Sequence, residues 1–460
     1  MKKRIVAAIL CMAMVVSAFG CSKKGTLNQE GFESEKFNLT IACQAEEGEK
    51  TVLEALKASY EKSHPDTNII LMDFGAYGTV REYITAYASA QDKLPMVLWM
   101  PSDEFAEPAE GGYFVDLRSY YEASEETNYD LYYESMLNSA SYTGEYKPLS
   151  EDKSKEYGLW FAPRDYNKPT IVYNTKLMDE IGIKVPDTSK GWGMKEFFAF
   201  CQKVNNAIEK KAQENRSFRG YRAIRLFSAW EPVYTTLFEN MGSDGIIKNG
   251  TYNLSSAKNE AIMSELYDNL FKYEYMIDTD EAFNSGTVCM TVVSRPVIVG
   301  MANQMGKDSI NFLPFPGEKV AAGCSGYGIV TSHADEEQTV NGETKKVADI
   351  AWDFIKYIIS EEGQQVAGET GLSVPVLKSL LGTGTWREWN ADAKLNHDAF
   401  LAGEELIQDT YHSLKPSQRT RARNLASAYF SYAETMEGGK AENRKVKLEG
   451  IEKDFAASVK

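Results

Sequence analysis

Between Asn38 and Trp99 the chain alternates strand-like and helix-like apolar runs, and no other stretch limits its fold so strongly. Asn38 to Cys43 (NLTIAC) predicts a short strand. Val52, Leu53, Leu56 and Tyr60 then recur at helical spacing until His64-Pro65-Asp66 stops the run. Ile69 to Met72 predicts a second strand. Val80, Tyr83, Ile84 and Tyr87 mark a second helix, which Lys93-Leu94-Pro95 ends, and Met96 to Trp99 is a third strand. This order implies a parallel sheet with right-handed crossovers. Ligands of such sheets gather at the carboxyl ends of the strands. That rule selects Gln44 to Glu47, Asp73 to Tyr77 and Met100 to Asp103.

After Tyr146 the same kind of structure restarts. Tyr157–Ala162 and Thr170–Tyr173 predict strands, and Met194–Val204 a helix with Phe197, Phe198 and Cys201 on one side. Thr287–Val293 is β-rich, Ile310–Pro314 is strand-like, Pro316-Gly317 signals a turn, and Tyr327–Thr331 reads as the next strand. Trp352, Ile355, Ile358 and Ile359 mark an amphipathic helix. Residues 386–460 are helical and charged. The 460 residues suit two α/β domains rather than one.

The N-terminus fixes the compartment. Lys2, Lys3 and Arg4 precede an apolar run from Ile5 to Phe19 and small residues before Cys21, which is the layout of a secretion signal over residues 1–20. Ala18-Phe19-Gly20-Cys21 resembles a bacterial lipobox, departing from it at Phe19. The resemblance implies that Cys21 becomes lipidated and anchors the chain to the membrane. Residues 21–36 are then the lipidated cysteine and a polar, flexible tether.

A net charge of −16 argues against a nucleic-acid partner, which needs a basic face. Cys43, Cys201, Cys289 and Cys324 are far apart and form no CxxC. Four buried thiols are the simpler reading, and two disulfides the other. The four histidines have no metal-ligand spacing, so no metal or cofactor is expected. Ser59-Tyr60-Glu61-Lys62 fits S-x-x-K, but no K-T-G or S-D-N accompanies it, and no P-loop is present.

Several segments, taken in order, resemble one family. Leu94–Trp99 (LPMVLW), Glu110–Leu117 (EGGYFVDL), Tyr157–Pro163 (YGLWFAP), Tyr173–Met178 (YNTKLM) and Trp192–Phe197 (WGMKEF) come first. Phe283–Met290 (FNSGTVCM), Ser325–Ile329 (SGYGI), Ala351–Tyr357 (AWDFIKY) and Gly371–Val376 (GLSVPV) follow. Together they resemble the family 1 extracellular solute-binding proteins, the maltose-binding-protein-like class of carbohydrate-binding lipoproteins. The resemblance implies a two-lobed periplasmic-binding-protein-like fold, with two discontinuous α/β domains, a hinge and a ligand cleft between the lobes. It places crossings near residues 163, 312 and 332. The N-terminal lobe is then 37–163 plus 313–331, and the C-terminal lobe 164–312 plus 332–460. It also implies an extracytoplasmic, monomeric, non-enzymatic protein that closes on a sugar and hands it to the permease of an ABC importer.

A sugar presents apolar C–H faces and hydrogen-bonding hydroxyls, so its site needs aromatic rings beside carboxylates or other polar groups. The candidates are Glu46, Tyr77, Trp99, Asp103, Asp165, Trp230, Tyr234, Arg295 and Tyr327. Arg164 and Arg295, if they face the cleft, admit an acidic sugar. The competing readings are a secreted carbohydrate-active enzyme and a sensor-associated binding protein.

Overall fold

The computed structural model describes residues 30–44, 47–273, 281–407 and 409–458. Its strands are β1 (Phe37–Cys43), β2 (Thr67–Asp73), β3 (Val97–Pro101), β4 (Ala162–Pro163), β5 (Thr170–Asn174), β6 (Arg222–Arg225), β7 (Ile247–Lys248), β8 (Thr251–Tyr252), β9 (Val288–Val293), β10 (Ile310–Pro314), β11 (Lys319–Ala322), β12 (Ser325–Ile329), β13 (Glu337–Val340), β14 (Glu343–Lys346) and β15 (Glu404–Ile407).

The first sheet has the order β2-β1-β3-β12-β4. β1 runs parallel to both β2 and β3, as the pattern over 38–99 requires. The helices Glu47–Ser63 and Val80–Ala86 make the crossovers. Thr79 caps the second of these by accepting from the Glu82 amide. Every residue of β1 is buried, as expected of a central strand covered on both faces. β12 lies antiparallel between β3 and β4. Its glycines have a steric reason: a Cβ on Gly326 would stand 1.9 Å from the Ala162 carbonyl oxygen. The strand expected over 157–162 is reduced to β4. Leu159 bonds instead to the loop before it, its carbonyl to the Leu117 amide and its amide to Asp116.

The second sheet has the order β10-β5-β9-β6. β5 is antiparallel to both neighbours, and β6 is parallel to β9. The helix Met194–Glu214 buries Phe197, Phe198, Phe200, Cys201, Val204 and Ile208. It runs on beyond the expected end at Val204 because no breaker interrupts it before Asn215.

The buried side chains form two clusters, one centred on each sheet, with Val172, Val293, Ile310 and Phe312 of the second sheet packing into the first cluster. They do not divide where the sequence reading placed the boundaries. Leu313, Phe315 and Val320 pack with the second cluster, and Ala322 to Val330 with the first, so that crossing lies near Gly323 rather than 312. The assignment of 332–460 to the C-terminal lobe is also corrected. Val347 to Phe400 supply buried residues to the first cluster, and only Tyr411 to Phe455 join the second. The helix Val347–Ile359 explains the error. It buries ten residues spread around most of its circumference, so its period names no single sheet.

Three segments join the clusters, and they are bonded to one another. Asn167 and Gly323 exchange two backbone hydrogen bonds of 2.9 Å. β11 pairs in parallel with β15. Lys168 is buried and donates to the carbonyls of Ala402 (3.2 Å) and Gly403 (2.9 Å), while the Tyr166 hydroxyl donates to Glu405 (2.7 Å). Cys43, Cys201, Cys289 and Cys324 are free, buried thiols.

Arg295 and His397 give this core a pH signature. Arg295 is wholly buried and donates to the carbonyls of Gly371 and Trp386 and to Nδ1 of His397 at 3.0 Å. An arginine only donates, so Nδ1 must be the unprotonated nitrogen. Burial, with Arg295 adding to it, pushes the His397 imidazole down to about 3. Below pH 6.5 the unfolded chain therefore takes up a proton that the folded chain refuses. Stability contributed by this residue is full above 6.5 and falls by about 1.4 kcal/mol per pH unit toward acid. Urea unfolding at pH 6.5 and pH 5 should show His397→Gln losing less stability across that interval than the unsubstituted protein.

Candidate functional site between the lobes

The loops at the carboxyl ends of β2 and β3, in the first lobe, carry Asp73 to Thr79 and Ser102 to Phe105. In the second lobe, β6 ends in a loop whose Phe227 takes a left-handed conformation, φ 56°. The loop delivers Trp230 to the N-cap position of the helix Glu231–Asn240, with Pro232 in its first turn, where a missing amide costs nothing.

The lobes meet through the helix Pro416–Ala433. Arg423 donates from Nε to Glu231 (2.5 Å), from Nη2 to Asp409 (3.3 Å) and from Nη1 across to the Asp103 carbonyl (2.9 Å). One turn earlier, Arg419 donates to Asp409 (3.3 Å) and across to the Tyr142 carbonyl (2.6 Å). Glu231 is nearly sealed from solvent, and its second oxygen accepts from the Thr410 amide at 2.7 Å. Burial pushes its carboxyl up, and Arg423 opposes that shift. Glu104 is pushed up to about 7, by burial first and then by the neighbouring Asp103. A cavity of about 10 Å³ lined by Ser102, Phe105, Ser139, Asp409 and His412 remains between these surfaces, room for about one water.

The candidates fall into three groups. Asp103, Tyr77 and Trp230 lie on the strand-end loops. Asp103 has a half-exposed side chain, Tyr77 is 40% exposed with its ring edge-on to Tyr83, and Trp230 is half-buried. Five others belong to the interior, each for a physical reason. The Tyr234 ring stacks on Phe430, and its hydroxyl meets that of Tyr411 at 2.9 Å. The Tyr327 hydroxyl donates to Glu49 at 2.8 Å. Asp165 is consumed by Arg164 (2.5 Å) and by the amide (2.7 Å) and hydroxyl (2.9 Å) of Ser325. Arg295 is enclosed as described above, and Trp99 is buried opposite Tyr327 on β3. Glu46 and Cys21 lie outside the described residues.

Arg419, Arg423 and Asp409 were missed. The helix carrying the arginines has weak amphipathicity, and no local motif singles out two arginines four residues apart. The proximity of Glu231 to the Trp230 signal was the one available clue. No group of His, Cys, Asp and Glu suited to a metal ion occurs among the described residues. A larger cavity, about 1090 Å³, lies along β10 with Trp192, Asp187 and Asn396 on its walls. The outer edge of β10 there is already occupied, since Pro314 O accepts from the Trp192 indole and Phe312 O from Asn396.

A family model described as bacterial extracellular solute-binding protein matches residues 55–395. No curated protein matches the chain in sequence comparison. Among solved structures, the GacH receptor of Streptomyces glaucescens, solved unliganded and with acarbose, superposes with a TM-score of 0.65 at 17% identity, covering 91% of this chain and 99% of its own. The ABC substrate-binding protein Lmo0181 of Listeria monocytogenes, in complex with cycloalternan, gives 0.66 at 13% identity, covering 92% and 99%. The sugar-binding protein MalE of Xanthomonas citri gives 0.65 at 14%, covering 91% and 98%. These likenesses establish the two-lobed α/β fold.

Arg423→Met leaves Glu231 buried beside Asp409 with no cation of its own. The substitution should cost about 3 kcal/mol in urea unfolding at neutral pH, as for other broken buried pairs. Without Arg423 the Glu231 carboxyl rises further above its unfolded value, so the folded state holds its proton longer. The deficit should therefore be larger at pH 8 than at pH 6.

Proposed function

The chain belongs to the bacterial extracellular solute-binding proteins, and we propose that its solute is a carbohydrate, in particular an oligosaccharide. One observation carries this reading: accessible aromatic rings and a carboxylate are placed on the strand-end loops of the two lobes. Tyr77 and Trp230 offer faces for C–H surfaces, and Asp103 offers a strong acceptor for hydroxyls. The structural neighbours with acarbose and cycloalternan support the same class.

Capture proceeds by lobe closure. A solute that bonds to both lobes favours the closed form by the difference between its affinities for the two forms. The bonded crossing segments at Asn167, Gly323 and Gly403 are the hinge. The closed protein then presents the sugar to the permease of an ABC importer, a role that the description of Lmo0181 supports. The family works outside the cytoplasm. No helix among the described residues is long and apolar enough to cross a membrane, and lipid on Cys21 is the anchor in this reading. The protein acts as a monomer and binds without transforming its solute.

A thermal-shift panel of neutral oligosaccharides tests the proposal. A solute at about 100 times its Kd adds about 2.7 kcal/mol of stability. Trp230→Ala should weaken the best solute by about tenfold, the order of one aromatic contact. Small-angle scattering should show a smaller radius of gyration with that solute bound. Stabilisation without compaction would sink the closure mechanism, and equal affinity of Trp230→Ala would remove Trp230 from the site.

A further inference from the structure

Arginines decide whether a carboxylated sugar can occupy this cleft, because a guanidinium bonds a carboxylate in bidentate fashion. The fold commits Arg164, Arg295, Arg225, Arg81, Arg423 and Arg419 to partners of their own. Arg164 is 1% exposed and is held between Glu49 and Asp165. Arg295 is 0% exposed and bonds to carbonyls of the first cluster. Arg225 is buried with its guanidinium 3.4 Å from the Phe227 ring centre. Arg81 pairs with Glu107 at 2.7 Å. Arg423 reaches the interlobe surface, and there it is clasped by two carboxylates, Glu231, whose side chain is almost wholly buried, and Asp409, whose side chain is largely buried. Arg419 shares Asp409 and spends its remaining N–H groups on carbonyls.

We propose that the Glu231–Arg423–Asp409 triad is the charge filter of the cleft, admitting uncharged and cationic sugars and rejecting uronates. The inference rests on the carbohydrate reading above and deepens it. Around the interlobe contact stand Asp103, Glu104, Glu231 and Asp409, against Arg419 and Arg423. An incoming carboxylate would meet more carboxyl groups than guanidinium groups there. To gain Arg423 it would also have to displace Glu231, leaving that carboxylate buried without its cation, and loosen Asp409, which Arg419 alone would then hold, a change that costs several kcal/mol. A hydroxyl has no such conflict. It donates to the Asp103 carboxylate or carbonyl and leaves the triad intact. The net charge of −16 acts in the same direction at long range by slowing the approach of anions.

Binding is measured by thermal shift and calorimetry on the full mature chain. The ligands are matched pairs, gluco-, galacto-, xylo- and manno-oligosaccharides beside the corresponding oligouronates, at fixed salt. The unsubstituted protein should bind the neutral member of its preferred pair at least about tenfold more tightly than the uronate. Glu231→Gln with Asp409→Asn keeps acceptor oxygens near Thr410 and Arg423 while freeing the guanidinium. This variant should raise the affinity for the uronate relative to its neutral partner by about tenfold. Asp409→Asn alone serves if circular dichroism shows the double variant unfolded, and it should narrow the gap at least threefold. A uronate bound as tightly as its neutral partner by the unsubstituted protein overturns the filter and leaves the carbohydrate reading standing. So does a folded variant with an unchanged ratio. Absence of binding across the whole panel overturns the carbohydrate reading, and the filter with it.

Discussion

The buried guanidinium of Arg164 sits where the first chain crossing leaves the first sheet, and the arrangement of both lobes depends on it. Arg164 donates to Glu49 on the first helix (2.8 Å) and to Asp165 beside it (2.5 Å). Asp165 in turn fixes the start of β12 through Ser325, and Tyr327 of β12 closes the circuit on Glu49. Burial opposes the charge on Arg164, but Glu49 and Asp165 outweigh it and hold the cation firmly protonated. The Gln364 amide adds a bond to the Arg164 carbonyl. Four remote pieces of sequence, near residues 49, 164, 325 and 364, thus share one polar knot. Removing either carboxylate would strip a fully buried cation of half its compensation, so the knot fixes the base from which the crossing segments depart.

From that base the hinge is built of backbone bonds and one buried lysine. The exchange between Asn167 and Gly323 and the ladder between β11 and β15 couple the three crossing segments. Burial pulls the Lys168 ammonium down, and Glu405 works against that shift. Its donation to two carbonyls and to Glu405 at 3.4 Å gives each of its three N–H bonds a partner. A band bonded in this way cannot shear one strand against another without leaving buried groups unpaired. Relative motion of the lobes is therefore confined to bending of the whole band, which the chain permits because each crossing is short.

The local pattern of the first lobe was readable because its first strands and helices follow one another along the chain. The alternation over 38–99 names β1, β2 and β3 and the helices between them. The order of the later segments was also readable, but not their partners. The helix Val347–Ile359 is apolar around too much of its surface to reveal that it covers the first sheet. The site divided along the same line. Asp103, Tyr77 and Trp230 sit on loops at strand ends, a position that sequence can predict. Tyr234, Tyr327 and Arg295 point inward, because the packing of distant segments supplies Tyr411, Glu49 and Trp386 as partners. Arg423 failed in the opposite sense. One of several arginines on a charged helix looks solvated until Glu231, far away in sequence, and Asp409 close around it.

The contact between the lobes is also notable for what it uses. Arg419 and Arg423 bond across to main-chain carbonyls, those of Tyr142 and Asp103, rather than to side chains. A carbonyl is present whatever residue stands there, so the geometry of closure does not depend on the identity of the loop side chains that a solute would touch. A hydrogen bond to a charged donor contributes about 1.5–3 kcal/mol net, and opening the lobes returns both partners to water. In the proposed closure the solute's differential affinity for the two forms sets the population, and each 1.4 kcal/mol of it changes the ratio tenfold. Closure encoded in the backbone and selectivity encoded in side chains are separable in this fold, and loop residues such as Tyr77 and Trp230 can change without disturbing the contact that brings the lobes together.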